Sequence, residues 1–219
     1  SNICTAQVLL AIISGMYALF HGPNDLKNIA KRIHSHTKEL ADKISKLGHE
    51  IVTNDNSFFD TVVIKLSNMT IDSLRDKALE HSFNLMYHEN GLVGISLDEK
   101  TNDSEVEALA KLFDVKSDSK NSYNIFKPNR TGNILTHPIF HSINSETEML
   151  RYINKLEKRD LSLNYSMIPL GSCTMKLNAT VEMIPISWPE FNSIHPFAPL
   201  SQAKGYKKII NELEEMLYK

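Results

Sequence analysis

The stretch FNLMYHENGLVGISL, residues 83–97, carries the pattern that decides the fold. Two runs rich in apolar residues, FNLMYH and LVGISL, flank the tripeptide Glu89-Asn90-Gly91. Asparagine and glycine between two such runs favour a tight turn, because both residues adopt positive φ at low cost. The stretch therefore predicts a β-hairpin of two antiparallel strands.

Two more strand candidates precede the hairpin, HEIVT at 49–53 and DTVVIKL at 60–66. A short helix that begins at Thr70 or Asp72 separates them from the hairpin, and a last helix covers about 103–113. The order β-β-α-β-β-α predicts a mostly antiparallel sheet covered by helices, which is an α+β layer within an α/β chain.

Two long helices are predicted before the sheet. Residues 4–20 are apolar on nearly all sides, which predicts a buried helix. The tripeptide HGP at 21–23 is expected to end it. Asn24 is expected to cap a second helix that runs to about Gly48, with its apolar residues in one stripe.

Composition excludes several classes of protein. A net charge of −2 gives no bulk attraction to nucleic acid. The longest apolar run, residues 8–20, is short for a membrane span, and no basic segment precedes it as in a secretory signal. Cys4 and Cys173 form no disulfide framework, which suits a reducing compartment. The chain begins SNICTAQ, without methionine, so we expect it to be a segment of a longer polypeptide, with a processed or trimmed chain as the alternative.

The pattern divides the chain into 1–115, a polar linker at 116–133, and 134–219. In the last part, Ser145 and Glu148 have the spacing of a capping box that starts a helix. Residues 161–200 carry many prolines, and a final helix is expected after a Ser201 cap. These elements are too few for a core, so the sequence predicts an incomplete second domain.

The clearest candidate for chemistry is SMIPLGSCTMKLN, residues 166–178. Cys173 could be a nucleophile with His195 as its base, or a buried unreactive thiol. The backbone of Gly171–Thr174, with Lys176, could bind a carboxylate or phosphate, or could form a turn whose hydroxyls satisfy their own backbone. Lys176 as a Schiff-base lysine has no support in the sequence, and an exposed or substrate-facing lysine is favoured.

The histidines do not indicate a metal site. His34 and His36 point to different sides of a helix, and Pro138 argues against a helix that joins His137 to His141. No motif with metal-ligand spacing is present. The pre-proline rule predicts extended backbone at His137 and His195, which serves either to place side chains in a cleft or as a rigid connector.

Residues 145–217 and 1–34 resemble the P-protein family of the glycine cleavage system, also known as glycine dehydrogenase (aminomethyl-transferring) or glycine decarboxylase. The run MIPLGSCTMKLN, followed by EMIP, WPEF and HPFAP, is the most specific part, and the match is weakest across 98–133. The resemblance implies the fold type I of pyridoxal-phosphate (PLP) enzymes, built from two similar halves. It places residues 1–115 at the end of the first half, with its small subdomain. Residues 134–219 become the opening arm and first helices of the second half.

The resemblance also implies an activity. Enzymes of this family use pyridoxal 5'-phosphate to decarboxylate glycine and pass the aminomethyl group to the lipoyl arm of the H-protein. The T-protein and the L-protein complete the cycle, and a homodimer of the full-length chain is expected. Neither nucleic acid nor a membrane is an expected partner. The expected location is the cytoplasm in bacteria and the mitochondrial matrix in eukaryotes.

One departure from the family limits this expectation. The family's PLP lysine follows a histidine and precedes a glycine-rich stretch, and no such run occurs in this sequence. The chain is therefore expected to be inactive alone and to contribute no catalytic residue. By resemblance, the residues expected to line the active-site cleft are Ser172, Cys173, Thr174, Lys176, Asn178, His195 and Phe197.

Two rival interpretations stay open. A truncated or split subunit would act only in assembly and would have no catalytic role. A Cys173-dependent hydrolase would have an activity of its own, which alkylation of the thiol would abolish.

Overall fold

The computed structural model describes residues 6–52, 57–114, 130–159, 165, 167 and 179–218. The chain divides into two compact units, Thr5–Leu156 and a second unit formed mainly by Glu157–Lys219. The predicted boundaries near 115 and 134 flank a part of the chain that lies outside the described residues, so they stay predictions.

A four-stranded antiparallel sheet forms the centre of the Thr5–Leu156 unit. Its strands lie in the order β1-β2-β4-β3, with bounds β1 Glu50–Ile51, β2 Thr61–Lys65, β3 Met86–Tyr87 and β4 Leu92–Ser96. All three pairings are antiparallel, and the central pair β2–β4 runs from Thr61 opposite Ser96 to Lys65 opposite Leu92. The prediction of a mostly antiparallel sheet is confirmed for the described residues.

The hairpin predicted from residues 83–97 is present. Gly91 has a φ of 81°, and its N–H donates to the carbonyl of His88 at 3.1 Å. The amide of Leu92 donates to the Asn90 side chain at 3.3 Å, so the side chain supports the turn locally. The first strand is shorter than predicted, because only Met86 and Tyr87 pair with β4.

Three helices supply the other side of the core: α1 Ala6–Lys46, α2 Ile71–Glu80 and α3 Asp103–Ala110. Thr70, and not Asp72, caps α2, since its side chain accepts from the amide of Ser73 at 3.2 Å. Asn102 and Glu105 form a complete capping box at the start of α3. Apolar side chains of all three helices meet the sheet in one buried cluster, which includes Leu40, Ile44, Val62, Ile64, Leu74, Ala78, Val93, Ile95 and Val106.

The expected end of the first helix at 21–23 is a kink inside α1. Gly22 has φ 61° and ψ −178°, a combination that is essentially restricted to glycine. Helical geometry resumes at Pro23, which is compatible because the first residue of a helix needs no N–H partner. Asn24 therefore lies within the helix, and its predicted role as the cap of a separate helix is wrong.

The expectation that residues 4–20 form a buried helix is also wrong. Leu9 and Leu10 are 63% and 66% exposed, and Ile12 and Ile13 are about half exposed. The buried positions of α1 fall mainly in its second half, from Thr37 to Ser45, where the helix packs on α3, β1 and β2. An apolar helix is buried only where other elements cover it, and its own sequence does not report what covers it.

The buried polar residues include one histidine. His49, 1% exposed, accepts a hydrogen bond on Nδ1 from the amide of Ser67 at 3.2 Å. Its ring contacts Phe113 edge-on at 5.4 Å between centroids. Burial lowers the pKa of His49 below its usual value, against a weaker opposing effect from Asp114. The ring is therefore part of the core as a neutral group.

From residue 146 onward, the described residues form four α-helices and no strand. The α-helices are α4 Glu146–Glu157, α5 Thr180–Met183, α6 Pro189–Asn192 and α7 Lys204–Leu217. Ser145 caps α4 as predicted, because its hydroxyl accepts from the amide of Glu148 at 3.2 Å. The predicted Ser201 cap of the last helix is wrong. Ser201 lies in a 3-10 helix, Leu200–Gln202, and α7 begins after Ala203 without a side-chain cap.

Candidate functional site

Five of the seven predicted lining residues lie outside the described residues. They are Ser172, Cys173, Thr174, Lys176 and Asn178. Their roles stay predictions, and so do the two alternatives for the Gly171–Thr174 backbone.

The other two predicted lining residues, His195 and Phe197, lie together on an exposed turn. The Phe197 amide donates to Nδ1 of His195 at 3.1 Å, and the two rings are 5.8 Å apart. The amide of Ala198 donates to the His195 carbonyl at 2.9 Å, which closes the turn. Because Nδ1 accepts a hydrogen bond, the ring presents Nε2 to its surroundings. Phe197 is 89% exposed, and His195 is also exposed to solvent among the described residues.

An aromatic cluster fixes the segment before this turn. Trp188, Phe191 and Tyr206 follow one another with centroid separations of 6.1 Å each. The Tyr206 hydroxyl donates to the backbone carbonyl of Phe191, which ties α6 to α7. The cluster therefore sets the course of the chain near His195.

A cleft lies beside the kink of α1, within the Thr5–Leu156 unit. A 3-10 helix, Pro138–His141, packs there, and its Phe140 carbonyl oxygen is 2.9 Å from where a Cβ on Gly22 would stand. The cleft has a volume of about 340 Å³. Its lining residues are Pro23, Asn24, Lys27, Asn133, Ile134, Thr136 and His141.

Two predictions about residues 137–141 have opposite outcomes. Pro138 does not prevent helical structure between His137 and His141, because it occupies the first position of the 3-10 helix. His137 has the extended backbone that the pre-proline rule predicts, with φ −65° and ψ 136°. The ring of His141 donates through Nε2 to the carbonyl of Leu135 at 3.1 Å, so it is held by its own loop.

A second polar cluster joins α1 to the turn after β4. The Tyr17 hydroxyl donates to the carboxylate of Glu99, and Arg32 donates to the Glu99 carbonyl at 3.2 Å. The hydrogen bond to Glu99, with help from burial and from its charge, raises the pKa of Tyr17 to about 12. The phenol therefore stays protonated at neutral pH and is a structural donor.

No group of three metal-ligating side chains occurs in the part of the chain that the structure describes. His34 and His36 have separate partners, as predicted from their spacing. His34 Nδ1 is 3.0 Å from the Phe59 carbonyl, and His36 Nε2 is 3.1 Å from the Asp103 carboxylate.

Among the described residues, none of the helices has the length and hydrophobicity that a membrane crossing requires.

No lysine is buried among the described residues. An imine-forming lysine needs burial or a neighbouring cation to lower its pKa. Buried polar or charged side chains of the described residues are Thr37, Ser45 and His49, with no lysine among them.

Comparison with known proteins gives a consistent result. The sequence model of the family described as glycine cleavage system P-protein matches residues 1–113. The glycine dehydrogenase (decarboxylating) of Thermosynechococcus vestitus is 48% identical over 219 residues, which is 99% of this chain and 23% of the relative. The protein of the same name from Vibrio parahaemolyticus is 49% identical over 227 residues, with the same coverage.

The chain thus spans about a quarter of the length of these curated relatives. A solved NifS-like protein has 19% identity and a TM-score of 0.36 over 40% of this chain and 28% of its own, a likeness too small to bear on the fold. The family match covers more than half of the 219 residues and includes the kinked helix, the sheet and α3. The chain belongs to the glycine cleavage system P-protein family.

Proposed function

We propose that this chain is one part of a glycine dehydrogenase (decarboxylating). The complete enzyme would decarboxylate glycine and transfer the aminomethyl group to the lipoyl arm of the H-protein, with the T-protein and L-protein as further partners. The observation that carries the proposal is the 48% identity to such an enzyme over 99% of this chain. Identity at this level along the whole chain supports a shared role for the segment.

In this proposal the chain contributes structure and lining residues but not the reactive lysine. PLP would supply the electron sink for the loss of carbon dioxide in the complete enzyme. The lysine that holds it would lie outside these 219 residues, because the sequence has no histidine-lysine pair followed by a glycine-rich run. Ser172, Cys173 and Thr174 would let the backbone approach a bound anion closely, with Lys176 beside them.

Labelling with PLP tests the absence of the reactive lysine. The purified chain is mixed with PLP, reduced with borohydride and digested, and each modified lysine is quantified by mass spectrometry. We expect sparse labelling scattered over exposed lysines such as Lys27, Lys46 and Lys111, since none of the described lysines is buried. A Lys176→Arg variant should lose no more than its own share of the label.

A stoichiometric adduct at Lys176 that disappears in the Lys176→Arg variant would contradict the proposal. It would mean that this chain holds the cofactor lysine itself. The rival hydrolase interpretation has a separate test, because it requires an activity of the isolated chain that alkylation of Cys173 removes.

A further inference from the structure

His49 is enclosed by the chain's own residues. It is 1% exposed, and its ring lies edge-on to Phe113 with 5.4 Å between the centroids. The residue stands directly before β1, in the short link that joins the end of α1 to the sheet. Because the described residues already cover this ring, further parts of a longer protein could only add to its burial.

The hydrogen bonds of the ring fix which nitrogen carries the proton. The amide of Ser67, two residues after β2, donates to Nδ1 of His49 at 3.2 Å, so Nδ1 has no proton. Nε2 therefore carries the single proton of the neutral ring, and it is buried without a hydrogen-bond partner among the described residues. A second proton has to be placed on Nδ1, where it would point at the N–H of Ser67.

Two acidic side chains next to this ring are already paired. Asp114 favours the protonated ring weakly, but its carboxylate pairs with Lys77 of α2. Glu50 pairs with Lys65 across the β1–β2 edge at 3.4 Å. The exposed cations at the adjoining helix ends cannot compensate a further positive charge, namely Lys46 and Lys111. Burial therefore dominates, and it lowers the pKa of the imidazole below its usual value.

We propose that the contact between His49 and Ser67 is an acid-sensitive switch, which keeps the end of α1 packed on the β1–β2 edge only while the ring is neutral. Protonation of Nδ1 would turn an acceptor into a donor that faces the Ser67 amide, and it would place a charge inside the core. The proton enters when the contact opens and the ring reaches water. Acid therefore favours the opened chain.

The direction of the pH dependence follows from proton linkage. In the unfolded chain the ring of His49 takes up a proton at about pH 6.5, whereas the folded chain excludes it. Its contribution to stability is thus fully present above this pH and is lost progressively as the pH falls below it. One proton that binds only on unfolding raises the unfolding constant about tenfold between pH 7.5 and pH 5.5. This inference does not depend on the activity proposed for the complete enzyme.

Urea denaturation of the whole chain at these two pH values tests the switch. The variant His49→Asn keeps a side-chain oxygen that can accept from the Ser67 amide, but this side chain does not titrate. Between the two pH values, the unfolding constant of the parent should rise about tenfold more than that of the variant. His81→Asn is the matched control, because this exposed histidine ends α2 outside the core, and it should keep the pH response of the parent.

A second measurement needs no variant, so it decides the question even if His49→Asn does not fold. The nitrogen chemical shifts of the His49 ring, followed by NMR in the parent chain, report both its protonation and its tautomer. We expect the folded chain at about pH 5.5 to hold a neutral ring with its proton on Nε2. A charged ring in the folded chain at this pH would overturn the proposal. A folded His49→Asn variant with the same pH response as the parent would overturn it as well.

Discussion

Gly22→Ala should lower the free energy of unfolding by about 2–3 kcal/mol, since an L side chain is strained at this backbone conformation. Gly22 has φ 61° and ψ −178°, and an added Cβ would stand 2.9 Å from the Phe140 carbonyl oxygen. That oxygen belongs to the backbone of a 3-10 helix, so it cannot rotate away as the end of a side chain could. Urea denaturation followed by circular dichroism measures the loss.

Gly15→Ala is the matched control for this substitution. Gly15 lies in the same helix, and nothing stands within 4 Å of where its Cβ would be. Alanine in a helix interior is favoured over glycine by up to about 1 kcal/mol, so this variant should be more stable than the parent. Equal effects of the two substitutions would contradict the interpretation of the kink as a glycine-specific conformation.

Leu74→Ala should cost about 3 kcal/mol in the free energy of unfolding. Leu74 is fully buried on α2 against the sheet, and its truncation removes apolar contacts and leaves a cavity. The same denaturation experiment measures the change. Because the buried core combines helices α1, α2 and α3 with strands β1, β2 and β4, the transition should stay cooperative while its midpoint falls.

Leu79→Ala on the same helix separates burial from helix propensity. Leu79 is 47% exposed, so its truncation should change the free energy of unfolding by no more than about 0.5 kcal/mol. A loss at Leu79 as large as the loss at Leu74 would mean that α2 packs in a different orientation from the one described.

Local signals in the sequence predicted the sheet well. The Asn90-Gly91 turn and the strand predicted at 60–66 depend on neighbouring residues, and the structure has both the turn and the strand β2. The Asn102–Glu105 capping box was also readable from its spacing, although the helix was predicted only from its apolar residues. Such features are encoded within a few residues of where they act.

The errors share a different cause. The first half of α1 has the composition of a buried helix, but burial depends on elements distant in the sequence that cover it. Ser201 has the chemistry of a cap, yet a 3-10 helix takes up this residue and α7 starts later. Proline at 138 starts a short helix where it was expected to prevent one. In each case residue type allowed several conformations, and tertiary context decided among them.

The site was less predictable than the fold. Spacing alone did not bring Cys173 and His195 together, and only the family resemblance proposed that they line one cleft. The residues of the cleft beside the kink, among them Lys27, Thr136 and His141, were not predicted as a group. They come from two segments more than a hundred residues apart, and no local motif records that contact.

A chimeric enzyme tests the central claim most directly. The segment of the Thermosynechococcus vestitus enzyme that matches this chain is replaced by these 219 residues, and glycine-dependent exchange of labelled bicarbonate is measured with lipoylated H-protein. We expect the chimera to bind PLP and to retain exchange within about tenfold of the parent enzyme, since tenfold in rate corresponds to about 1.4 kcal/mol of transition-state stabilisation. A chimera that folds and binds PLP but shows no exchange would contradict the claim that this chain is a working part of a glycine dehydrogenase.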